Sequence, residues 1–361
     1  MDTLSGLTVA ELEEKLGAHG LEKWRAKPML SWLHRRDIKS FDEMTDLSKE
    51  ARASMPGLFR LTETEIKGKH ESPDGTTKFL VGLTDGDVIE AVLIPEGGRR
   101  TVCVSTQVGC PIKCVFCASG LQGLKRNLSA AEIVEQIIHV KRSLMEGERI
   151  SNVVIMGIGE PLLNPKNLMK ALRILKASWG QGIGFNRITL STVGVLGQLE
   201  ELVKHRVTPN LALSLHAPND EIRAEIVPTM KNVKVTDIIK AGVEYHRVTG
   251  KEVTFEYVLL DGVNDDKKHA LELGKKLRGV QVKVNVIPFN RVEEVPYGTP
   301  SRERVDRFVQ ALGNCGVPVM VRKRKGDEVA GACGQLRARF VAGGAGAVGA
   351  AGEKGECSST T

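Results

Sequence analysis

Cys110, Cys114 and Cys117 stand at CxxxCxxC spacing in the run Gln107-Val-Gly-Cys-Pro-Ile-Lys-Cys-Val-Phe-Cys. The loop follows directly on an apolar, strand-like stretch from Thr101 to Ser105. Three thiolates are one short of a closed tetrahedral zinc site, whereas they suit a [4Fe–4S] cluster whose fourth iron stays open. An open iron can hold a small molecule and couple to it electronically. The alternative is a structural zinc knuckle whose fourth ligand comes from Cys103, Cys315, Cys333 or one of the eight histidines. Its position disfavours the knuckle, because a loop after the first strand of a βα series would face a pocket.

Three further segments carry residues that could do chemistry. Gly157-Ile-Gly-Glu160-Pro161 is a glycine-rich turn after a second strand. Its glycines alone can be a matter of turn geometry, but a carboxylate at a pocket mouth could bind a cationic amino group. Ser214-Leu215-His216-Ala217-Pro218 closes a fourth strand; a lone histidine is more often structural than catalytic, so His216 is given a binding role only through its place. Gly331-Ala-Cys333-Gly-Gln335 follows the cationic run Arg322-Lys-Arg-Lys325. A free cysteine usually ends as a small buried hydrophobe, yet flanking glycines and neighbouring cations would favour a nucleophilic thiolate at Cys333. Cys103, on the strand that leads into the cysteine loop, lies within reach of it.

These residues need elements to hold them. The first sixty residues read as a small helical module, with a capping box from Thr8 to Glu11, helical apolar spacing at Leu12, Leu16, Leu30 and Leu33, and an end at Pro56-Gly57. From Thr64 to Val92 the pattern turns to short strands, with hairpin signals at Asp74-Gly75 and Asp85-Gly86. Beyond Thr101, strand and helix alternate. Ser129 to Glu132 caps a helix with Ile133, Ile137 and Val140 on one face, and Asn164-Pro165 opens another with Asn164 as its cap. Strands are predicted at 153–156, 188–190, 211–215, 253–259, 282–287 and 317–321. Repeated βα units imply an α/β fold with a parallel sheet, open or closed into a full or partial barrel. In barrels the chemistry sits at the carboxyl ends of the strands, where Cys110, Gly157 to Glu160, Ser191, His216 and Asn290 all fall. The segment 342–361 is Gly/Ala-rich and then polar, and is expected to be disordered, with Cys357 a free thiol.

The chain has 361 residues, 41% of them hydrophobic, enough for one large core or two smaller ones. No run reaches the roughly 20 apolar residues of a membrane span, and the N-terminus lacks the order of a secretory signal. Seven cysteines, three of them clustered, fit a reducing cytoplasmic compartment better than a disulfide scaffold. A net charge of +7 is weak evidence by itself, but the local clusters Arg99-Arg100, Lys125-Arg126 and Arg322 to Lys325, then Arg337 and Arg339, point towards nucleic acid.

From about Trp24 to Arg339 the chain resembles the RlmN/Cfr family of radical S-adenosylmethionine (SAM) RNA adenine methyltransferases. The resemblance is carried by Phe41-Asp-Glu-Met44, the three-cysteine run, Gly157-Ile-Gly-Glu-Pro-Leu162, Leu213-Ser-Leu-His-Ala-Pro-Asn-Asp220 and Ala332-Cys-Gly-Gln-Leu336. It implies a partial (β/α)6 radical SAM barrel with a small N-terminal helical domain. The units expected are an accessory domain over 1–62, a β-rich linker over 63–100, the radical SAM core over 101–341 and the tail over 342–361. It further implies that Cys110, Cys114 and Cys117 hold one [4Fe–4S] cluster. Gly159, Glu160, Ser191, Ser214, Leu215, His216 and Asn290 would line the SAM site. Cys333 would carry the methyl group, Cys103 would be its disulfide partner, and Glu90 would accept the ring proton.

The chemistry makes sense of this set. Carbon 2 of adenine lies between two ring nitrogens and is too electron-poor to attack a methyl sulfonium, so radical chemistry must come from the cofactor, with two SAM molecules used per turnover. The implied partners are 23S rRNA, tRNA and an electron donor such as flavodoxin or ferredoxin, with no membrane. A target base already unpaired is the sensible substrate, because unstacking costs least there. Two rivals remain: methylation of carbon 8 of the same rRNA base, and a non-catalytic RNA-binding protein with a structural metal.

Overall fold

The computed structural model describes residues 1–322 and 325–336. The expectations for Lys323, Arg324, Arg337, Arg339, the 342–361 tail and Cys357 lie outside the described residues.

A ten-stranded mixed sheet organises the chain. It begins with strands β1 (Glu65–Glu71), β2 (Thr77–Gly82), β3 (Val88–Glu96) and β4 (Arg99–Cys103), each antiparallel to the next. The remaining strands are β5 (Asn152–Ile155), β6 (Ile188–Thr192), β7 (Asn210–Ser214), β8 (Val253–Leu259), β9 (Lys283–Pro288) and β10 (Val319–Val321). From β4 to β10 every neighbouring pair is parallel and in chain order, as βα crossovers require. The alternation read in the sequence is therefore a partial barrel. In the stretch over 63–100, β1 to β3 extend the barrel's own sheet.

Side-chain alternation divides the sheet's faces. Val102, Val153, Leu190, Leu213, Phe255 and Val284 point outward into the main core, beneath the flanking helices. Residues of the other parity, such as Cys103, Ser191, Ser214 and Glu256, are thereby directed to the barrel interior. The capping boxes at Thr8 and Ser129 form as expected. Two details differ. Pro56 sits inside the last turns of a helix from Lys49 to Leu58 rather than ending it. Asn164 caps with no side-chain bond, because its amide instead donates to the carbonyls of Thr106 (3.0 Å) and Leu128 (2.8 Å), tying the helix start to the cysteine strand.

The N-terminal module has its own core, around Leu12, Leu16, Leu30 and Leu33. It lies against the barrel helix Ala130–Arg142, which is consequently buried on every side from Ala130 to Val140, beyond the single apolar face expected. Glu135 is the staple. Its carboxylate accepts from the hydroxyls of Ser5 and Thr64 and from the backbone N–H groups of Glu63 (3.0 Å) and Thr64 (2.7 Å). Burial nevertheless pushes its carboxyl up to about 7. Glu135→Ala would leave several buried donors without an acceptor. It is expected to cost about 2–3 kcal/mol of stability, read in a denaturant titration and in faster proteolysis near residues 60–64.

Candidate active site

The carboxyl ends of the parallel strands surround an open cavity. Cys110, Cys114 and Cys117 form one wall, and Gly159, Glu160, Ser191, Ser214, His216 and Asn290 line the sides. Cys333 closes it from the C-terminal loop. Sequence segments more than two hundred residues apart thus meet at one site. Leu215 does not line it; its side chain is buried in the main core. Cys103 and Glu90 stand behind the lining residues.

The cysteine loop is built by local geometry. Gly109 has φ +74°, and a Cβ there would sit 1.9 Å from the Gly123 carbonyl oxygen, so only glycine lets the loop turn back on its hairpin. Burial raises all three thiols, Cys110 to about 12, and the sulfurs raise one another further. A group of buried, mutually repelling thiols of this kind becomes thiolate only against a strong cationic centre. Three thiols from one short loop facing one cavity match the three-cysteine ligand set of a [4Fe–4S] cluster.

Glu160 is fully engaged in the turn. Its Oε1 accepts from the Leu162 N–H (3.0 Å) and its Oε2 from the Val193 N–H (2.9 Å), while burial pushes its carboxyl up to about 7. Gly159, at φ +111°, packs so closely on Gln107 that a Cβ would lie 2.7 Å from that side chain. The GxG turn therefore serves packing, and the carboxylate is held at the cavity wall. His216, itself at φ +59°, accepts the Val258 N–H at Nδ1 (3.1 Å). Its ring meets Phe116 of the cysteine loop edge-on at 5.0 Å. Burial holds the imidazole neutral by pulling it down to about 3.

The Cys333 loop is strapped to both sides of the cavity. The Ala118 N–H donates to the Gly334 carbonyl (2.8 Å) and the Ser119 hydroxyl to the Leu336 carbonyl (2.7 Å), which joins it to the cysteine loop. Opposite, the Asn290 amide donates to the Cys333 carbonyl (3.0 Å) and leaves its own buried oxygen without a partner. Asn290 thus positions the Cys333 loop as well as lining the cavity. Cys103 is buried with Val92, Ile158 and Leu336, and burial, aided by the Cys333 sulfur, pushes its thiol up to about 12. Glu90 lies on the same face of β3 as Val92 and pairs with Lys78 at 3.1 Å.

Four residues of this region were not picked out by sequence reasoning. Lys78 is one; alternation within a strand gave no sign of its pairing. Glu256 lines the cavity, is 4% exposed, and takes the Asn285 amide on Oε1 while Oε2 has no partner. Arg322 was counted with the surface cations, but it turns inward, lining the cavity and contacting the Met156 sulfur at 3.7 Å. Its guanidinium is held charged chiefly by Cys333, with Glu256 and Cys103 adding to the effect. Arg223 is the fourth. The other basic clusters are compensated locally: Arg99 by Glu96, Arg100 by Glu148, Lys125 by Asp87, and Arg126 by Asp85 and Glu132. No helix among the described residues is long and apolar enough to cross a membrane.

Comparison with known proteins agrees with this geometry. A family model described as the radical SAM superfamily matches residues 104–274. Another, described as the ribosomal RNA large subunit methyltransferase N-terminal domain, matches residues 3–60. The chain is 45% identical over 330 residues to a probable dual-specificity RNA methyltransferase RlmN of Rhodopirellula baltica, covering 91% of this chain and 88% of the relative. It is 43% identical over 333 residues to the dual-specificity RNA methyltransferase RlmN of Syntrophobacter fumaroxidans, covering 92% and 97%. The crystal structure of a radical SAM methyltransferase from Sphaerobacter thermophilus superposes with a TM-score of 0.90 at 42% identity, covering 94% of this chain and all of that one.

Proposed function

This chain belongs to the RlmN family of radical SAM RNA methyltransferases, and from that premise we propose that it methylates carbon 2 of an unpaired adenosine in 23S rRNA and in tRNA. The observation that carries the reading is the single cavity joining three cysteines, the Glu160 turn and Cys333. Cytoplasmic RNA is the substrate, and a flavodoxin- or ferredoxin-type donor supplies electrons.

Cys110, Cys114 and Cys117 hold the [4Fe–4S] cluster. With SAM bound beside it, the cluster supplies one-electron cleavage of the sulfonium to a carbon radical able to take hydrogen from a methyl group. Glu160 receives the methionine ammonium of SAM, and Gly159, Ser191, Ser214, the Leu215 backbone, His216 and Asn290 complete its site. Glu160→Ala is expected to weaken SAM binding by roughly tenfold to a hundredfold, the loss of one charge-assisted hydrogen bond, measured by equilibrium binding.

Cys333 does the carrying. Its thiolate displaces the methyl group of SAM, so a sulfur–carbon bond forms as the sulfonium bond breaks and S-adenosylhomocysteine leaves. Arg322 lines the cavity with Cys333. The methylene left on Cys333 once one methyl hydrogen has been taken would bond to the adenine carbon; Glu90, held by Lys78, removes the ring proton, and the one surplus electron would return to the cluster. Cys103 attacks the Cys333 sulfur; a disulfide forms, the carbon–sulfur electron pair stays with the RNA-borne carbon, that carbon takes a proton to become the methyl group, and methylated RNA is released. External reductant restores both thiols.

The test is anaerobic reconstitution with iron, sulfide, SAM and a transcribed rRNA fragment, followed by mass spectrometry of the digested RNA. 2-Methyladenosine is expected. 8-Methyladenosine as the main product would move the reaction to the other ring carbon, and unmodified RNA from a protein that binds it would favour the non-catalytic reading.

A further inference from the structure

Arg223 is among the largest fully buried side chains in the molecule, 1% exposed. It stands on the short helix Asp220–Ile226, directly after the Ser214–His216 turn. Its Nη1 donates to the carbonyls of Ser214 (2.9 Å) and Leu215 (2.6 Å), and its Nη2 to that of Val193 (2.6 Å). One guanidinium therefore ties together the carboxyl ends of β6 and β7, the two strands that carry Ser191 and Ser214. Its Nε has no partner.

Carbonyls satisfy hydrogen bonds, but they do not neutralise a buried cation. The charged groups that Arg223 faces are the Cys114 thiol and the Asp220 carboxylate. Asp220 is turned to the next helix, where its Oδ1 accepts the Val235 N–H at 2.7 Å. On the other side, the cysteine loop leans on the same short helix. The Val115 N–H donates to the Ile226 carbonyl at 3.1 Å, and Ile226 packs in one apolar cluster with Ile112, Phe116 and Cys114. A fixed cation is thus set behind the cysteine loop, with the Asp220 carboxylate as the other group acting on it. Three thiolates on an iron–sulfur core leave a net negative charge that grows by one on reduction, and net charge is one of the terms that sets a cluster's potential.

We propose that Arg223 is the counter-cation of the iron–sulfur cluster, stabilising its reduced state, while its three carbonyl bonds position the strand ends that receive SAM. This rests on the cluster assignment above. It makes Arg223 a positioning and charge-compensating residue, outside direct contact with the reacting atoms.

The experiment uses the full chain, reconstituted anaerobically without RNA, as wild type, Arg223→Met and Arg223→Lys. Iron and acid-labile sulfide are counted first, and the cluster's midpoint potential is then measured by a redox titration followed by electron paramagnetic resonance. Arg223→Met is expected to keep its cluster and to lose at least tenfold in the reduction equilibrium, a fall of about 59 mV for one electron. Arg223→Lys keeps the charge and should hold a potential near wild type. Its SAM affinity should nonetheless drop, because one ammonium cannot span three carbonyls. A Met variant with a full cluster and an unchanged potential overturns the proposal. Should that variant fail to hold a cluster, the Lys variant decides: a tenfold loss in the reduction equilibrium with SAM affinity intact contradicts the assignment. Wild type lacking sulfide would overturn the cluster, and this role with it.

Discussion

Replacing Cys333 with alanine is expected to abolish methyl transfer while leaving the iron–sulfur cluster in place. The cavity is lined by four cysteines among the described residues, and three of them belong to the cluster loop. Only Cys333 is free to take a methyl group, so no neighbouring thiol can substitute for it. The loop itself should survive the change, since its straps run through the Gly334 and Leu336 carbonyls, the Cys333 carbonyl and the Gln335 amide rather than the sulfur. Turnover should fall to below about one ten-thousandth of wild type, as it does when a covalent nucleophile is deleted. Rates on an rRNA fragment, with iron and sulfide counted in the same sample, check this. Retained transfer would remove Cys333 from the carrier role.

Cys103→Ala should behave differently, trapping the protein on its RNA. Cys103 is enclosed by Val92, Ile158 and Leu336, and its nearest titratable neighbours are Cys333 and Arg322. Its thiol is pushed up to about 12 by burial and the Cys333 sulfur, with the Arg322 guanidinium pulling partly against them. With alanine there, no group stands behind the Cys333 sulfur to displace the RNA carbon. Product release is expected to fall more than about a hundredfold. A band of protein covalently joined to RNA should appear on denaturing gels and vanish with nuclease. Free methylated RNA released at the normal rate would rule out disulfide resolution.

Much of this site is legible in the chain before it folds. The three cysteines, Glu160, Ser191, Ser214, His216 and Asn290 each lie at or just beyond the carboxyl end of a strand, and parallel βα units bring all strand ends to one rim. Cys333 could be singled out because glycines and cations surround it. What escaped notice depends on tertiary approach. Arg223, within Asp-Glu-Ile-Arg-Ala-Glu-Ile, looks like part of a solvated helix; only the folded barrel brings three carbonyls to it. Arg322 looks like one of four surface cations, yet strand parity turns it inward. The compensation of Arg100 by Glu148, or of Lys125 by Asp87, joins residues far apart in sequence and makes basic clusters look more exposed than they are. Asn164 has the right type for a cap, but two carbonyls from the cysteine strand region compete for its amide and win. Glu135, buried between two modules, gives no local sign of its four donors.

The account depends most on what the three-cysteine loop holds, and the metal content of protein purified without oxygen tests that directly. Iron and acid-labile sulfide in equal amounts, with no zinc, are predicted. Zinc in their place, and no sulfide released by acid, would contradict it.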